Sequence, residues 1–157
     1  MEKEYCCCFT GHRPEKIGEP EEVIIAALRR EIMSAVADGF TTFITGMARG
    51  VDIWAGEIVF ELKAAGMPLR LIAAVPFDGV ERSWEPEWKA RFAAVLAGAD
   101  EVEIICHGYN RGCFQIRNRW MVDRAGRVIA VYNGTAGGTR NTMLYAENNG
   151  VEVKNVI

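Results

Sequence analysis

Short apolar runs alternate with stretches of helical periodicity along the whole chain, and this alternation limits the fold more than any other feature. Residues 5–10 (YCCCFT), 42–45 (TFIT), 69–75 (LRLIAAV), 101–106, 128–132 and 151–156 read as strands. Between them, Ile24, Leu28, Ile32 and Ala35 recur at helical spacing, and Gly39 ends that helix. Val51, Trp54, Ala55, Ile58 and Leu62 mark a second helix, and residues 87–97, 115–124 and 138–149 give three more. Strands separated by helices of 10–15 residues pair in parallel through right-handed crossovers. The expected fold class is α/β, a Rossmann-like three-layer sandwich with a mostly parallel sheet, filling one domain over residues 1–157. In such sheets ligands bind beyond the carboxyl ends of the strands, where the strand order reverses.

Composition narrows the partners. Half of the residues are apolar, a quarter are charged, and the net charge is −3 with both signs interspersed. That balance suits a soluble domain and gives no basic face for duplex DNA, so nucleic acid is not the expected partner. The charged start Met1-Glu2-Lys3-Glu4 lacks a secretory pattern, and no apolar run approaches the ~20 residues of a membrane span, so a cytoplasmic protein is expected. Cys6, Cys7 and Cys8 would alternate across a strand, and no CxxC pair occurs, so neither a metal site nor a cofactor is expected.

Three strand-to-helix junctions carry the residues suited to chemistry. In Thr10-Gly11-His12-Arg13-Pro14, Gly11 permits a tight turn and Arg13 offers a planar fork to phosphate or carboxylate. In the junction of residues 45–52, Gly46 and Gly50 flank Arg49 and leave backbone N–H groups free to cradle an anion. Asp52 there either accepts from a ribose hydroxyl or serves the helix dipole. The spacing matches neither GxGxxG nor a Walker A loop. In the junction of residues 133–139, Gly137, Gly138, Thr139 and Thr135 lead into the last long helix, where amides, hydroxyls and the dipole address one phosphate. On the preceding helix Arg117 and Met121 share a face with Asn118 beside it, whereas Arg119 points to solvent. His107 and Tyr109 either line the mouth of a cleft or, as expected, lie at the surface, and Trp84 either stacks on a base or packs a loop lid.

Together TGHRP at 10–14, GMARGVDIWA at 46–55, PF at 76–77, RNRWMVD at 117–123 and GGT at 137–139 resemble the SLOG superfamily, in particular its YpsA/YspA-like branch. The resemblance covers nearly the whole chain and implies a Rossmann-like fold, a nucleotide-like phosphate ligand and self-association into a homo-oligomer. Residues 46–55 are also similar to a segment of the DNA-processing proteins that load recombinase onto single strands, with Gly56 standing where that pattern has histidine. The series Arg117-Asn118-x-x-Met121, a strand, then Gly137-Gly138 is similar to nucleoside-monophosphate phosphoribohydrolases. Their PGGxGTxEE loop is shortened here to Gly137-Gly138-Thr139-Arg140-Asn141-Thr142, without either glutamate. Val80 also stands where the branch often has glutamine.

The expectation is therefore a binding or sensing domain for a nucleotide or nucleotide-derived ligand. Gly11, His12, Arg13, Gly46, Arg49, Gly50, Gly137, Gly138 and Thr139 would surround phosphate, with Asp52 on ribose and Arg117 and Asn118 closing the site. An N-glycosidase of the phosphoribohydrolase type is the alternative, with Arg117 and Asp52 as catalytic candidates. Such a reaction needs a carboxylate, and only Asp52, Asp123 or Glu147 would replace the missing glutamates. A module for single-stranded DNA or a protein partner is the third possibility.

Overall fold

The computed structural model describes residues 2–157; Met1, at the start of the expected domain, lies outside the described residues. Six strands form one all-parallel sheet: β1 (Cys6–Gly11), β2 (Thr42–Thr45), β3 (Arg70–Phe77), β4 (Glu101–Cys106), β5 (Arg127–Val131) and β6 (Glu152–Asn155). Their order is β4-β3-β2-β1-β5-β6. The chain steps outward from β1 to β4, then returns to place β5 on the other side of β1. The strand order therefore reverses between β1 and β5.

Six helices connect them: α1 (Pro14–Ile17), α2 (Glu21–Ala37), α3 (Val51–Ala64), α4 (Pro86–Gly98), α5 (Cys113–Asp123) and α6 (Gly138–Asn148). Helices α2, α3 and α4 cover one face through Ile24, Leu28, Ile32, Ile58, Phe92 and Val95. Helices α5 and α6 cover the other through Met121, Val122 and Ala146. This is the expected three-layer sandwich. The triple cysteine divides as its period of two requires: Cys7 packs in the first layer, Cys6 and Cys8 in the second, and all three are fully buried. Burial pushes the Cys7 and Cys8 thiols up, which suits small hydrophobes rather than nucleophiles.

Two boundaries differ from expectation for visible reasons. Pro76 does not close β3, which runs on to Phe77. Its missing N–H falls past Ala73, the last β3 residue paired to β2, so no ladder bond is lost there. Helix α1 was not expected, because four residues are too few to show a period; Pro14 at its first position and Gly18 in the left-handed region at its end define it instead.

Candidate functional site

The loops that leave β1, β2 and β5 meet at the reversal of strand order, and glycines let them approach. A Cβ on Gly11 would lie 2.8 Å from Val51 Cβ, so only glycine lets the end of β1 press against the start of α3. After β2, the backbone N–H groups of Met47 and Ala48 donate to Thr45 Oγ1 (3.3 Å) and Asp52 Oδ2 (3.2 Å), and Thr45 Oγ1–H donates to the Asp52 carbonyl (2.8 Å). The turn forces Met47 to φ 61°, the left-handed region, with its side chain fully buried.

Helix α5 returns beneath β3 towards β1, and this path carries Arg117 under the second loop. The Arg117 side chain is 4% exposed; its Nη1 donates to the Gly46 carbonyl and its Nε donates to Asn118 Oδ1 at 2.8 Å. A Cβ on Gly46 would sit 2.9 Å from Asp52 Oδ2 and 3.0 Å from Arg117 Cζ, so the buried acid and the buried cation flank this glycine. Burial raises the Asp52 carboxyl above its usual range, opposed by Arg117, the Ala48 N–H and Arg13. Burial likewise pushes Arg117 down to about 10, opposed by Asp52, which leaves it charged at neutral pH. Asp52 is thus a buried carboxylate beside a buried guanidinium, with Oδ1 unpartnered, and more than a helix-start acid.

A cavity of about 250 Å³ opens above this pair. Gly11, His12, Arg13, Asp52, Arg117, Asn118, Gly138 and Thr139 line it, so eight of the twelve expected site residues converge there. The N-terminus of α6 has no side-chain cap, which leaves its first amides without intramolecular side-chain acceptors. Gly46 lies behind Arg117, Gly50 packs on Pro14, and a Cβ on Gly137 would lie 3.3 Å from Lys16 Nζ. Arg49 is turned aside: both Nη atoms donate to the Glu15 carboxylate at 3.1 and 2.6 Å, which commits its fork. Asp123 accepts from the Tyr145 hydroxyl, and Glu147 is exposed on α6. Of the three carboxylates weighed for hydrolysis, only Asp52 lines the cavity.

Lys16, Phe114 and Gln115 also line this cavity and were missed in the sequence. Lys16 Nζ donates to the Ala136 carbonyl at 2.9 Å, tying α1 to the glycine loop. No pattern in four residues could have shown this. Phe114, by contrast, precedes Arg117 by three and shares its helix face, a signal that was present. A second cavity of about 430 Å³ adjoins the first, with Arg13, Phe114 and Arg117 lining both. Trp84 lines this larger cavity, held edge-on against Phe92. His107 and Tyr109 are exposed as expected, and Arg119 lies over the Tyr145 ring.

His12 is 5% exposed, its Nε2 has no partner, and its ring rests 5.5 Å from that of Tyr132. Burial and then Lys16 lower its pKa below 6.5, opposed by Asn133. The unfolded chain therefore binds this proton at higher pH than the native one does. His12 thus contributes stability above pH ~6.5 that fades as pH falls towards its native value. Urea titrations at pH 7.5, 6.5 and 5.5 should show the loss, and His12→Gln should remove its share of the slope; an unchanged slope would count against a neutral, buried His12. Among the described residues no cluster of three or more His, Cys, Asp or Glu could hold a metal ion, and no helix is long and apolar enough to cross a membrane.

Comparison with known proteins agrees with the architecture. The family model described as the YspA SLOG family matches residues 7–155. A UPF0398 protein of Bacillus thuringiensis is 27% identical over 154 residues, covering 93% of this chain and 84% of the relative. One from Bacillus pumilus is 28% identical over 143 residues, covering 86% and 77%. Among solved structures, DNA processing protein A of Streptococcus pneumoniae superposes with a TM-score of 0.63 at 18% identity, over 96% of this chain and 50% of that one. DNA processing protein A of Helicobacter pylori, described with a single-stranded DNA binding mode, also gives 0.63, at 16% identity, over 96% of this chain and 64% of that one. The present chain thus spans half and under two thirds of those two proteins; the likeness is one of fold.

Proposed function

The chain belongs to the YspA SLOG family, and we propose that its cleft binds a nucleotide or nucleotide-derived phosphate ligand in the cytoplasm. One observation carries this proposal: in the 250 Å³ cavity, Arg13, Lys16 and the uncapped start of α6 face one space above Arg117. Three cations and a helix N-terminus around a single buried acid make a site for an anion with several acceptor oxygens. Phosphate meets that description, and the buried, unpartnered Oδ1 of Asp52 supports an acceptor role towards a sugar hydroxyl.

In a thermal-shift panel of phosphate compounds, a ligand at a hundred times its Kd should add about 2.7 kcal/mol, or roughly 5–11 °C for a domain of this size. Lys16→Glu, at an exposed position, should abolish the shift while costing the unliganded protein only its bond to the Ala136 carbonyl, about 0.5–1.5 kcal/mol. Absence of any shift across the panel would sink the proposal.

Single-stranded nucleic acid is the second candidate, because this fold is shared with a protein described as binding it. A gel shift whose affinity falls steeply with salt would favour that partner, since each backbone contact releases counterions. Turnover is separable by incubating nucleoside monophosphates and assaying free base; Asp52 is the carboxylate whose loss should abolish it.

A further inference from the structure

On the footing that the smaller cavity takes phosphate, we infer that the adjoining 430 Å³ cavity is a subsite for the planar base of the same ligand. Its walls differ in kind from those of the phosphate side: Trp84, Phe77, Val80 and Phe114 supply flat or apolar surface. Two of the rings are fixed before anything binds. Trp84 stands edge-on to Phe92 with centroids 5.5 Å apart, and Phe114 meets Phe77 at 6.1 Å and 76°. Fixed rings stack on a planar heterocycle without losing side-chain freedom, whereas a flexible aliphatic chain gains nothing from their flatness.

Charge sets the direction of the ligand. Each cavity has one acid in its lining, Glu85 in the larger and Asp52 in the smaller, but Arg49 of the larger is already paired to Glu15, so a phosphate there would meet one free cation fewer. The smaller cavity holds Lys16 and the α6 N-terminus instead. Arg13, Phe114 and Arg117 belong to both cavities, so they stand where the sugar would join the two ends. Arg117 is stacked over Phe114 with Cζ 5.8 Å from the ring centre, which couples the phosphate side to the aromatic wall.

Isothermal titration of the whole chain with ribose 5-phosphate and with the 5′-monophosphates of adenosine, guanosine, cytidine and uridine tests this. At least one nucleotide should bind about tenfold or more tightly than ribose 5-phosphate, the order expected for one stacked base. Trp84→Ala should erase that advantage while leaving ribose 5-phosphate affinity within twofold. Val80→Trp, which fills the cavity from a half-buried loop position, should do the same without removing a packed ring. Equal binding of ribose 5-phosphate and every nucleotide overturns the base subsite and spares the phosphate site. Equal loss of both ligands in either variant also overturns it. Failure of all five compounds to bind overturns both.

Discussion

Arg117→Ala is expected to lower stability by about 3–5 kcal/mol, the range for stripping a buried charge of its partner. Two acceptors lose their donor at once, the Gly46 carbonyl and Asn118 Oδ1, while Asp52 stays buried without its main cation. The variant should carry a pH signature as well. Burial already lifts the Asp52 carboxyl above 3.8, and removing Arg117 lifts it further. With the native pKa above the unfolded one, the native state holds the extra proton, so stability falls as pH rises through that window. Arg117→Ala should therefore recover part of its loss between pH 7.5 and pH 5, where the wild type changes less. Adding Asp52→Asn to Arg117→Met should restore much of the deficit at pH 7.5 without restoring ligand binding. A loss in Arg117→Ala that does not depend on pH would show that Asp52 and Arg117 do not act as a pair.

What could be read in the sequence follows from how far each signal reaches. Periodicity is local and strong, so the alternation of strands and helices was visible, and the crossover rules turned it into a parallel sheet. The glycine junctions were visible because fold geometry alone puts them at one sheet edge. Residues whose place depends on another loop were not. Lys16 enters the site only because α1 folds towards the Ala136 carbonyl, and Arg49 is diverted only because Glu15 is within reach. Both outcomes belong to one short helix, which neither composition nor period could reveal. The approach of Arg117 to Asp52 across Gly46 spans β3, α4 and β4 in sequence, and it depends on the path of α5 beneath the sheet. Such contacts are tertiary, and no spacing encodes them.

Gly50→Ala should be the second most damaging single change, because it joins two independent penalties. Gly50 caps α3 at φ 99° and ψ −119°, a conformation that L side chains rarely adopt, at a cost of about 1–3 kcal/mol. A Cβ there would also lie 2.8 Å from Pro14 Cδ and 2.9 Å from Pro14 Cγ, which adds an overpacking penalty of about 1–3 kcal/mol. Pro14 opens α1, so relief of the clash displaces the helix that carries Glu15 and Lys16. Phosphate binding should therefore weaken more in Gly50→Ala than stability alone would predict. Pro14→Ala in the same chain removes the ring but not the strain, and denaturant titration of both singles and the double separates the two penalties. About 1–3 kcal/mol should persist in the double relative to Pro14→Ala. Full recovery would mean that the left-handed backbone costs nothing here and that contact with Pro14 alone makes this position a glycine.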